Sequence, residues 1–217
     1  MSRADDSKYS QTHVQPNVLR DEAFGQRALS RVDRFGVWLS QKPIRAVVRR
    51  YNKPVVLDLG CGYEAHTLRA TLPFMRAGVG VDVHISDNAK ALSALTFYEQ
   101  PIETALMQLH DQKFEVVLMI SVLEHLWEPQ ITLNACRTLL QPGGSLVINV
   151  PTWLGKTFLE LSAFKLGQSG AFEIDDHKNY YDARNLWPML VRAGFKPSCI
   201  QLRYHKFGLN LFGVARA

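Results

Sequence analysis

Two glycines that follow a short apolar run are the first residues whose types and spacing suggest binding chemistry. The run spans Val55 to Leu59, continues through Gly60 and Gly62, and then enters a stretch of helix-forming residues. Glycines let the backbone pass close beneath a ligand, and the free N–H groups at a helix start favour a carboxylate or a phosphate. The segment predicts a nucleotide-type cofactor, although a plain strand-to-helix turn or a dinucleotide site has the same pattern.

Two acidic residues refine this prediction. Asp58 lies beside the glycine turn, where its charge would repel a pyrophosphate but could attract the ammonium group of an amino acid. Asp82 ends the next apolar run, at the spacing of about 20 residues that is typical of an acid accepting both ribose hydroxyls of an adenosine. Such charge-assisted bonds contribute about 1.5 to 3 kcal/mol each. The plain alternative role for Asp82 is a helix cap. An acid at this position would also suit the ribose of NAD, so Asp82 alone does not separate the two cofactors.

A third segment predicts where a second ligand, one that would react with the bound cofactor, would lie. Ser121 to His125 follow the apolar run Phe114 to Ile120, which in a doubly wound sheet lies beside the glycine-turn strand and brings them to its carboxyl edge. His125 is a candidate general base, because histidine can take a proton from a hydroxyl near neutral pH, and packing of the following helix is its alternative role. His177, in a polar turn, is the second candidate. Glu124 is expected to brace a loop.

Short apolar runs alternate with helical stretches from Lys53 onward, a pattern typical of a mostly parallel sheet covered by helices on both faces. The apolar runs are 55–59, 79–83, 114–120 and 145–150, with a weaker one at 95–98, and the helical stretches are 66–75, 87–94, 103–110 and 129–140. Asp182 can cap a helix that runs to Arg192. Runs at 198–204 and 209–215 predict a C-terminal antiparallel hairpin.

The chain divides into three parts by composition. Residues 1–16 are polar and predict a flexible tail, whereas 17–52 predict a helical N-terminal extension in which Pro43 opens a second helix. Residues 53–217 form the main domain. An apolar segment interrupts its alternation, which predicts a lid-like insertion at about 152–176, and an aromatic stripe there is more typical of ordinary core than of an acceptor pocket.

Composition limits the class of protein. The 217 residues are 47% hydrophobic, which is enough for one continuous core. No apolar run reaches the roughly 20 residues of a membrane span, and the first sixteen residues are too polar for a signal peptide, so a cytoplasmic location is expected. Three cysteines are scattered singly, without the spacing of a zinc site, and no metal is expected.

The charge balance is weakly basic, with a formal net charge of +5 and a sequence pI near 9.2. Arg45, Arg49, Arg50 and Lys53 form a basic patch whose simplest interpretation is a solvated helix face. A phosphorylated or nucleotide-linked acceptor, peripheral contact with an anionic membrane surface, and RNA are the alternatives. A nucleic-acid partner is not expected, because the excess of basic over acidic residues is small.

In this order and spacing, the segments resemble the class I S-adenosylmethionine-dependent methyltransferases, especially the small-molecule branch that includes the ubiquinone-pathway O-methyltransferases. The resemblance covers about residues 53–217. It implies an α/β, Rossmann-like, doubly wound sheet of seven strands, an enzyme that uses S-adenosylmethionine, and S-adenosylhomocysteine as product. It also implies a set of cofactor contacts: Asp58, Gly60, Cys61, Gly62, Tyr63, Asp82, Val83, Ile102, Ser121 and Val122.

Three departures from the family pattern affect the site. Glu64 stands where many members have a third glycine, which places a carboxylate near the methionine end of the cofactor. After the third strand the chain reads Glu99-Gln100-Pro101-Ile102-Glu103, so adenine contact is assigned to the backbone around Ile102. Nothing in residues 1–52 matches an acceptor signature.

The sequence leaves several functions open. The leading hypothesis is methylation of a small molecule, at oxygen, with a sugar-containing or quinone-like acceptor. The alternatives are an RNA methyltransferase, a non-catalytic cofactor-binding subunit that activates a partner enzyme, and an oxidoreductase that uses NAD, since Gly60 to Ala65 partly fits that fingerprint. The acceptor and the oligomeric state are not specified.

Overall fold

A single seven-stranded sheet forms the centre of the protein. The structure, a computed structural model, describes residues 23–26, 31–157 and 177–217, with the side chains of residues 31–33 left out. The strands are β1 Val55–Leu59, β2 Ala77–Asp82, β3 Leu95–Glu99, β4 Phe114–Ile120, β5 Leu140–Pro151, β6 Ile200–His205 and β7 Asn210–Arg216. They lie in the order β3-β2-β1-β4-β5-β7-β6, which confirms the predicted doubly wound fold.

All pairs from β3 to β5 are parallel, whereas β7 is antiparallel to both β5 and β6. The predicted C-terminal hairpin is therefore confirmed, and β7 inserts between β5 and β6. Strand β5 begins at Leu140, five residues before the predicted start, with an irregular register between Phe114 and Val116 of β4. The chain resumes pairing with β4 at Leu140, immediately after the preceding helix ends, so the Pro142-Gly143-Gly144 segment lies within the strand.

Helices cover both faces of the sheet, each presenting an apolar side to it. They are α1 Arg31–Val48, α2 His66–Thr71, α3 Asp87–Lys90, α4 Ile102–Gln108, α5 Pro129–Leu139 and α6 Ala183–Arg192. Helices α1 to α3 pack on one buried cluster that includes Ile44, Val56 and Leu118. Helices α4 to α6 pack on the other, which includes Leu133 and Leu190. Three-residue 3₁₀ turns occur at Leu72–Phe74, Leu123–His125 and Pro197–Cys199.

Helix α1 corrects one prediction, because Pro43 lies inside it and does not open a second helix. A proline within a helix lacks the N–H that would bond to the carbonyl four residues earlier, here that of Leu39. That carbonyl instead forms a hydrogen bond with His205 of β6. Ser40 before the proline and Ile44, Val47 and Val48 after it are buried, so tertiary packing holds the helix continuous across the proline.

Two predicted segments lie mostly outside the described residues. These are the N-terminal tail at 1–16 and the greater part of the insertion at 152–176, of which residues 153–157 are helical. Residues 17–22 and 27–30 of the extension also lie outside the described residues. Among the described residues, no helix has the length and the apolar character needed to span a bilayer. The proposed division into tail, extension and main domain stays a prediction.

Helix α6 begins with a capping box, as predicted from Asp182. One oxygen of its carboxylate accepts hydrogen bonds from the backbone N–H groups of Arg184 (2.8 Å) and Asn185 (3.0 Å). The side-chain oxygen of Asn185 in turn accepts a hydrogen bond from the backbone N–H of Asp182. These contacts satisfy donors that a helix start otherwise leaves unpaired.

We expect Asp182→Ala to lower the free energy of unfolding by about 1 kcal/mol, because it removes the cap of α6. Urea titration followed by circular dichroism measures the change. Asp182→Ser is the matched control and should retain most of the stability, since serine also accepts these bonds. Equal losses in the two variants would show that the cap is not the source of the effect.

Candidate cofactor and acceptor site

The strand order creates a cleft at the carboxyl edge of the sheet, because the chain first winds outward from β1 to β3 and then returns to β4 on the other side of β1. Three predicted segments meet at this reversal. Asp58 lies near the end of β1, Asp82 at the end of β2, and Ser121 directly after β4. The sequence therefore predicted the correct edge of the sheet for all three segments.

The turn after β1 requires its glycines. Gly60 and Gly62 have φ angles of 71° and 76°, the left-handed region that favours glycine, and a side chain at Gly60 would clash with Val122. The N–H groups of Gly60 and Cys61 both donate to the carbonyl of Val81, at 2.8 and 3.0 Å. The turn is thus fixed to β2 and lies against the segment that follows β4, which brings Gly60, Cys61 and Val122 together.

An N-terminal segment covers this turn. The N–H of Tyr63 donates to the carbonyl of Phe24 at 2.8 Å, and a Cβ at Gly62 would lie 3.0 Å from that same oxygen. Gly62 therefore also allows the close approach of another backbone. Sequence reasoning missed Phe24, because a contact made through a main-chain carbonyl leaves no signal in residue type.

Asp58 is a buried carboxylate with no counterion among the described residues. Its side chain belongs to a residue that is 1% exposed, and neither oxygen has a hydrogen-bond partner in the part of the chain that the structure describes. Burial, and to a lesser degree the nearby carboxylate of Asp82, raise the pKa of Asp58 well above its usual value. A buried carboxylate becomes favourable only when a cation or donors reach it. An ammonium group, as in the methionine part of the predicted cofactor, fits this requirement.

Asp82 is held in a defined orientation at the next strand end. One oxygen accepts the N–H of Gly62 at 2.7 Å and the other accepts the N–H of Val83 at 2.9 Å. A carboxylate held in this way at a strand end has the chemistry to accept the hydroxyls of a ribose. The carboxylate of Asp82 therefore links the glycine turn to β2 and fits the predicted ribose contact.

The acids on either side of the predicted cofactor site are themselves paired. Glu99, the neighbour of Asp82 across β2 and β3, bonds to Lys90 (2.7 Å) and to the N–H of Ile85 (2.9 Å). Lys90 foremost lowers the pKa of Glu99. Glu64, which stands where many family members have a third glycine, forms a salt bridge with Arg69 at 2.7 Å.

The predicted adenine side lies next to Asp82. The N–H of Gln100 donates to the Asp82 carbonyl at 2.9 Å, which brings the start of α4 beside the carboxylate. Ile102, the first residue of α4, is half-buried there. Its assignment as an adenine contact, like the other cofactor contacts, stays a prediction.

The two candidate bases lie together on the β4 side of the cleft. The rings of His125 and His177 have centroids 4.8 Å apart at an interplanar angle of 60°. Nδ1 of His177 is 3.1 Å from the hydroxyl of Tyr180, whose ring in turn lies 5.4 Å from that of Trp153. Ser121, which begins this segment, is exposed and has a φ of 57°. Sequence reasoning assigned no role to Tyr180.

Backbone bonds hold His177 against His125. The carbonyl of Glu124 accepts the N–H groups of Lys178 (2.8 Å) and Asn179 (3.1 Å). The hydroxyl of Tyr181 donates to the carbonyl of Leu123 at 3.2 Å. Glu124 thus braces the loop as expected, although the bond uses its main-chain carbonyl.

Glu124, His125 and His177 also form a group with metal-ligand chemistry. Their potential ligand atoms lie within 4.8 Å of one another, and the Glu124 side chain is buried. One carboxylate and two imidazoles are ligands that suit several divalent transition metals. The expectation of a metal-free site therefore needs a direct test.

Asn149 is a further polar residue that sequence reasoning missed. It is fully buried near the end of β5, opposite Ile120 of β4, and neither polar atom of its side chain has a partner among the described residues. Buried amides without partners are uncommon and costly. Its signal was available, since Asn149 is the single polar residue in the apolar run from Leu146 to Val150.

The reversal of strand order, the glycine turn and the two strand-end carboxylates define the class of S-adenosylmethionine-dependent methyltransferases with a Rossmann-like fold. A family model described as a methyltransferase domain matches residues 25–200. The chain belongs to this family. S-adenosylmethionine is the methyl donor of the class, and the residues around Asp58 and Asp82 fit its ammonium and ribose groups.

Known proteins show the same relationship. The chain is 24% identical to the mitochondrial ubiquinone biosynthesis O-methyltransferase of Dictyostelium discoideum over 176 residues, which cover 68% of this chain and 53% of that protein. It is 33% identical to the ubiquinone biosynthesis O-methyltransferase of Psychrobacter cryohalolentis over 115 residues, which cover 48% and 43%. The chain spans about half the length of the curated relatives it matches.

A solved structure with the same fold is a SAM-dependent methyltransferase from Archaeoglobus fulgidus. Its TM-score is 0.59 at 15% identity, with 87% of this chain and all of that chain covered. At this identity the likeness shows the fold.

We expect Asp58→Asn to weaken binding of S-adenosylhomocysteine by roughly 10- to 150-fold, the equivalent of one charge-assisted hydrogen bond. The same variant should be more stable than the parent without ligand, because it removes a buried unpaired charge. Calorimetric titration and urea unfolding measure the two effects. Asp87→Asn, at an exposed position of α3, is the matched control.

The stability difference should also depend on pH. Because the pKa of Asp58 is raised in the folded state, the unfolded chain ionises this group first, from about pH 4 upward. The stabilising contribution of the protonated group is therefore present below that pH and is lost as the pH rises towards the folded pKa. The advantage of Asp58→Asn should grow over this range, and a pH-independent difference together with unchanged ligand affinity would contradict the role of Asp58.

Proposed function

We propose that this protein transfers a methyl group from S-adenosylmethionine to a hydroxyl of a small aromatic acceptor of the quinone-like, phenolic type. The observation that supports this most directly is the pair His125 and His177, with ring centroids 4.8 Å apart beside the cofactor cleft. Either imidazole could receive the proton that a hydroxyl loses on methylation. The similarity to ubiquinone biosynthesis O-methyltransferases supports the same acceptor class.

Methyl transfer requires the protein mainly to align the acceptor with the cofactor and to remove the proton of the acceptor hydroxyl. S-adenosylmethionine, when bound, would supply an activated methyl group and would leave as a neutral thioether. The acceptor oxygen forms the new bond to carbon and gives its proton to imidazole. Alignment can remove about 7 to 11 kcal/mol of barrier, whereas a positioned base adds about 10²- to 10⁴-fold.

A phenolic acceptor suits these residues better than a sugar. A phenol such as the tyrosine side chain ionises near pH 10, whereas an aliphatic hydroxyl is far less acidic and gives up its proton to a base less readily. Trp153 and Tyr180, whose ring centroids are 5.4 Å apart, form an aromatic wall next to His177. Such rings favour a flat, apolar acceptor through stacked or edge contacts.

Replacing either histidine should slow methyl transfer without weakening cofactor binding. We expect the replacement of the base, by His125→Ala or by His177→Ala, to lower kcat. A positioned base contributes about 10²- to 10⁴-fold, so the variant that lacks the proton-accepting ring should lose activity by that factor. Affinity for S-adenosylhomocysteine should stay within about twofold, since neither side chain is assigned to the cofactor. His110→Ala is the control, because His110 is exposed at the end of α4.

Wild-type rates in both variants would remove the histidines from the mechanism. The same assays after EDTA treatment separate a base from a metal site. Unchanged rates are expected. A rate lost with EDTA and restored by added Mg²⁺ or Zn²⁺ would instead assign Glu124, His125 and His177 to an ion.

The acceptor class can be tested by incubating the protein with cofactor labelled in its methyl group. The panel contains catechols and hydroquinones, sugars, and RNA, and mass spectrometry identifies the labelled product. We expect label at a phenolic oxygen, with lower transfer to sugars. Label found only in sugar or RNA would contradict the proposal, as would cofactor binding without transfer to any phenol.

A further inference from the structure

Large apolar side chains are exposed on the surface where α1 meets the turn between β6 and β7. We propose that this surface docks onto an anionic lipid bilayer. The docking surface consists of Phe35 and Trp38 of α1, Tyr204 and Phe207 of the hairpin, and Leu154 of the segment after β5. Their exposed fractions are 56%, 64%, 60%, 94% and 58%, respectively.

These residues are neighbours in space although they come from three parts of the chain. The ammonium group of Lys206 lies 3.7 Å from where a Cβ on Gly36 would stand, which places the hairpin turn against the first half of α1. A Cβ on Gly208 would lie 3.4 Å from Leu154. The Thr152 hydroxyl also donates to the Gly208 carbonyl at 2.7 Å. The three segments therefore form one continuous surface, and an exposed apolar patch of this kind marks an interaction site.

The hairpin turn holds Phe207 in a strained conformation. Lys206 and Phe207 have φ angles of 51° and 59°, consecutive left-handed positions that hairpins normally fill with asparagine and glycine. A left-handed conformation is strained for residues that carry a Cβ. A polar Asn-Gly pair would be more stable in this turn. The presence of an almost fully exposed phenylalanine instead points to a binding role.

The charge distribution around the docking surface favours an anionic partner. The stretches 34–51 and 200–217 contain no aspartate or glutamate. Arg34 and Lys42 lie on the exposed side of α1, close in sequence to the stacked rings of Phe35 and Trp38, whose centroids are 5.7 Å apart. Exposed Trp, Phe and Leu side chains flanked by cations are typical of elements that lie in the interface of an anionic membrane.

A bilayer accounts for these residues better than RNA does. Leu154 and Phe207 have no polar atom in their side chains and offer nothing to a phosphate or a base edge. Trp and Tyr, in contrast, favour the headgroup level, where one end of the ring is apolar and the other is hydrated.

The docking surface borders the acceptor site. Trp153 precedes Leu154 in the chain, and its ring lies 5.4 Å from that of Tyr180, the partner of His177. A bilayer bound at this surface would bring an apolar acceptor within reach of the histidines. This connection rests on the proposed function, whereas bilayer binding itself does not.

Co-sedimentation of the full chain with vesicles tests the proposal without any methyl-transfer assay. We expect binding to vesicles of phosphatidylcholine with phosphatidylglycerol, weaker binding to phosphatidylcholine alone, and loss of binding as salt increases. The double variant Trp38→Gln with Phe207→Asn should lower the partition coefficient at least about tenfold. Lys42→Gln should lower it about fivefold.

Ile131→Gln is the matched control. Ile131 is 61% exposed on α5, which packs on the other face of the sheet, and its replacement should leave vesicle binding unchanged. No variant should lower the unfolding midpoint, and all should keep the parent's affinity for S-adenosylhomocysteine. Absence of binding to anionic vesicles would overturn the proposal. So would equal losses in the control, or retention of RNA by a chain that ignores vesicles.

Discussion

The constraint on which the site depends is the burial of Asp58 beside Asp82. The sheet fixes both acids at neighbouring strand ends, and neither carboxylate oxygen of Asp58 has a partner in the described structure. In a solvent-excluded position the ionised form is disfavoured, as the raised pKa of Asp58 shows. Such a residue opposes folding and becomes favourable only when a cationic ligand arrives. The fold therefore has to be stable enough to hold an unpaired acid in place.

The rest of the edge is arranged around that acid. The turn after Asp58 needs left-handed glycines because Val122 and the Phe24 carbonyl leave no room for side chains. Asp82 then ties this turn to β2 through the Gly62 N–H. On the other side of β1, the loop from His177 onward is fastened to Leu123 and Glu124 through main-chain carbonyls. The residues proposed to contact the cofactor and those proposed to contact the acceptor are thus held by separate sets of bonds, and the two sets meet at one cleft.

The sequence predicted those features that depend on local pattern. Apolar runs located the strands, the glycine pair located the turn, and Asp182 located the start of α6, because each follows from residue type over a few positions. Pro43 was interpreted wrongly, since burial of its neighbours and the bond from Leu39 to His205 keep α1 continuous. Tertiary packing outweighs local propensity there.

Other residues of the site could not be derived because their contacts join distant parts of the chain. Phe24 acts through a carbonyl, so its side chain is uninformative. Tyr180 gains its position only when the loop after residue 177 folds back on Leu123 and Glu124. Asn149 was the exception, since an isolated amide in an apolar strand is visible in the sequence. It signals a buried polar atom but not what that atom faces.

The docking surface and the acceptor edge share structural elements, which bears on how they would work together. Strand β7 pairs with β5 so that Phe212 lies opposite Asn149 and Asn210 lies opposite Pro151. The same strand continues from the turn that presents Phe207, and His205 at the start of that turn is bonded to α1. The turn that presents Phe207 is therefore connected through paired backbone to the end of β5, where Asn149 lies. The docking surface and the acceptor edge consequently belong to one continuous part of the sheet.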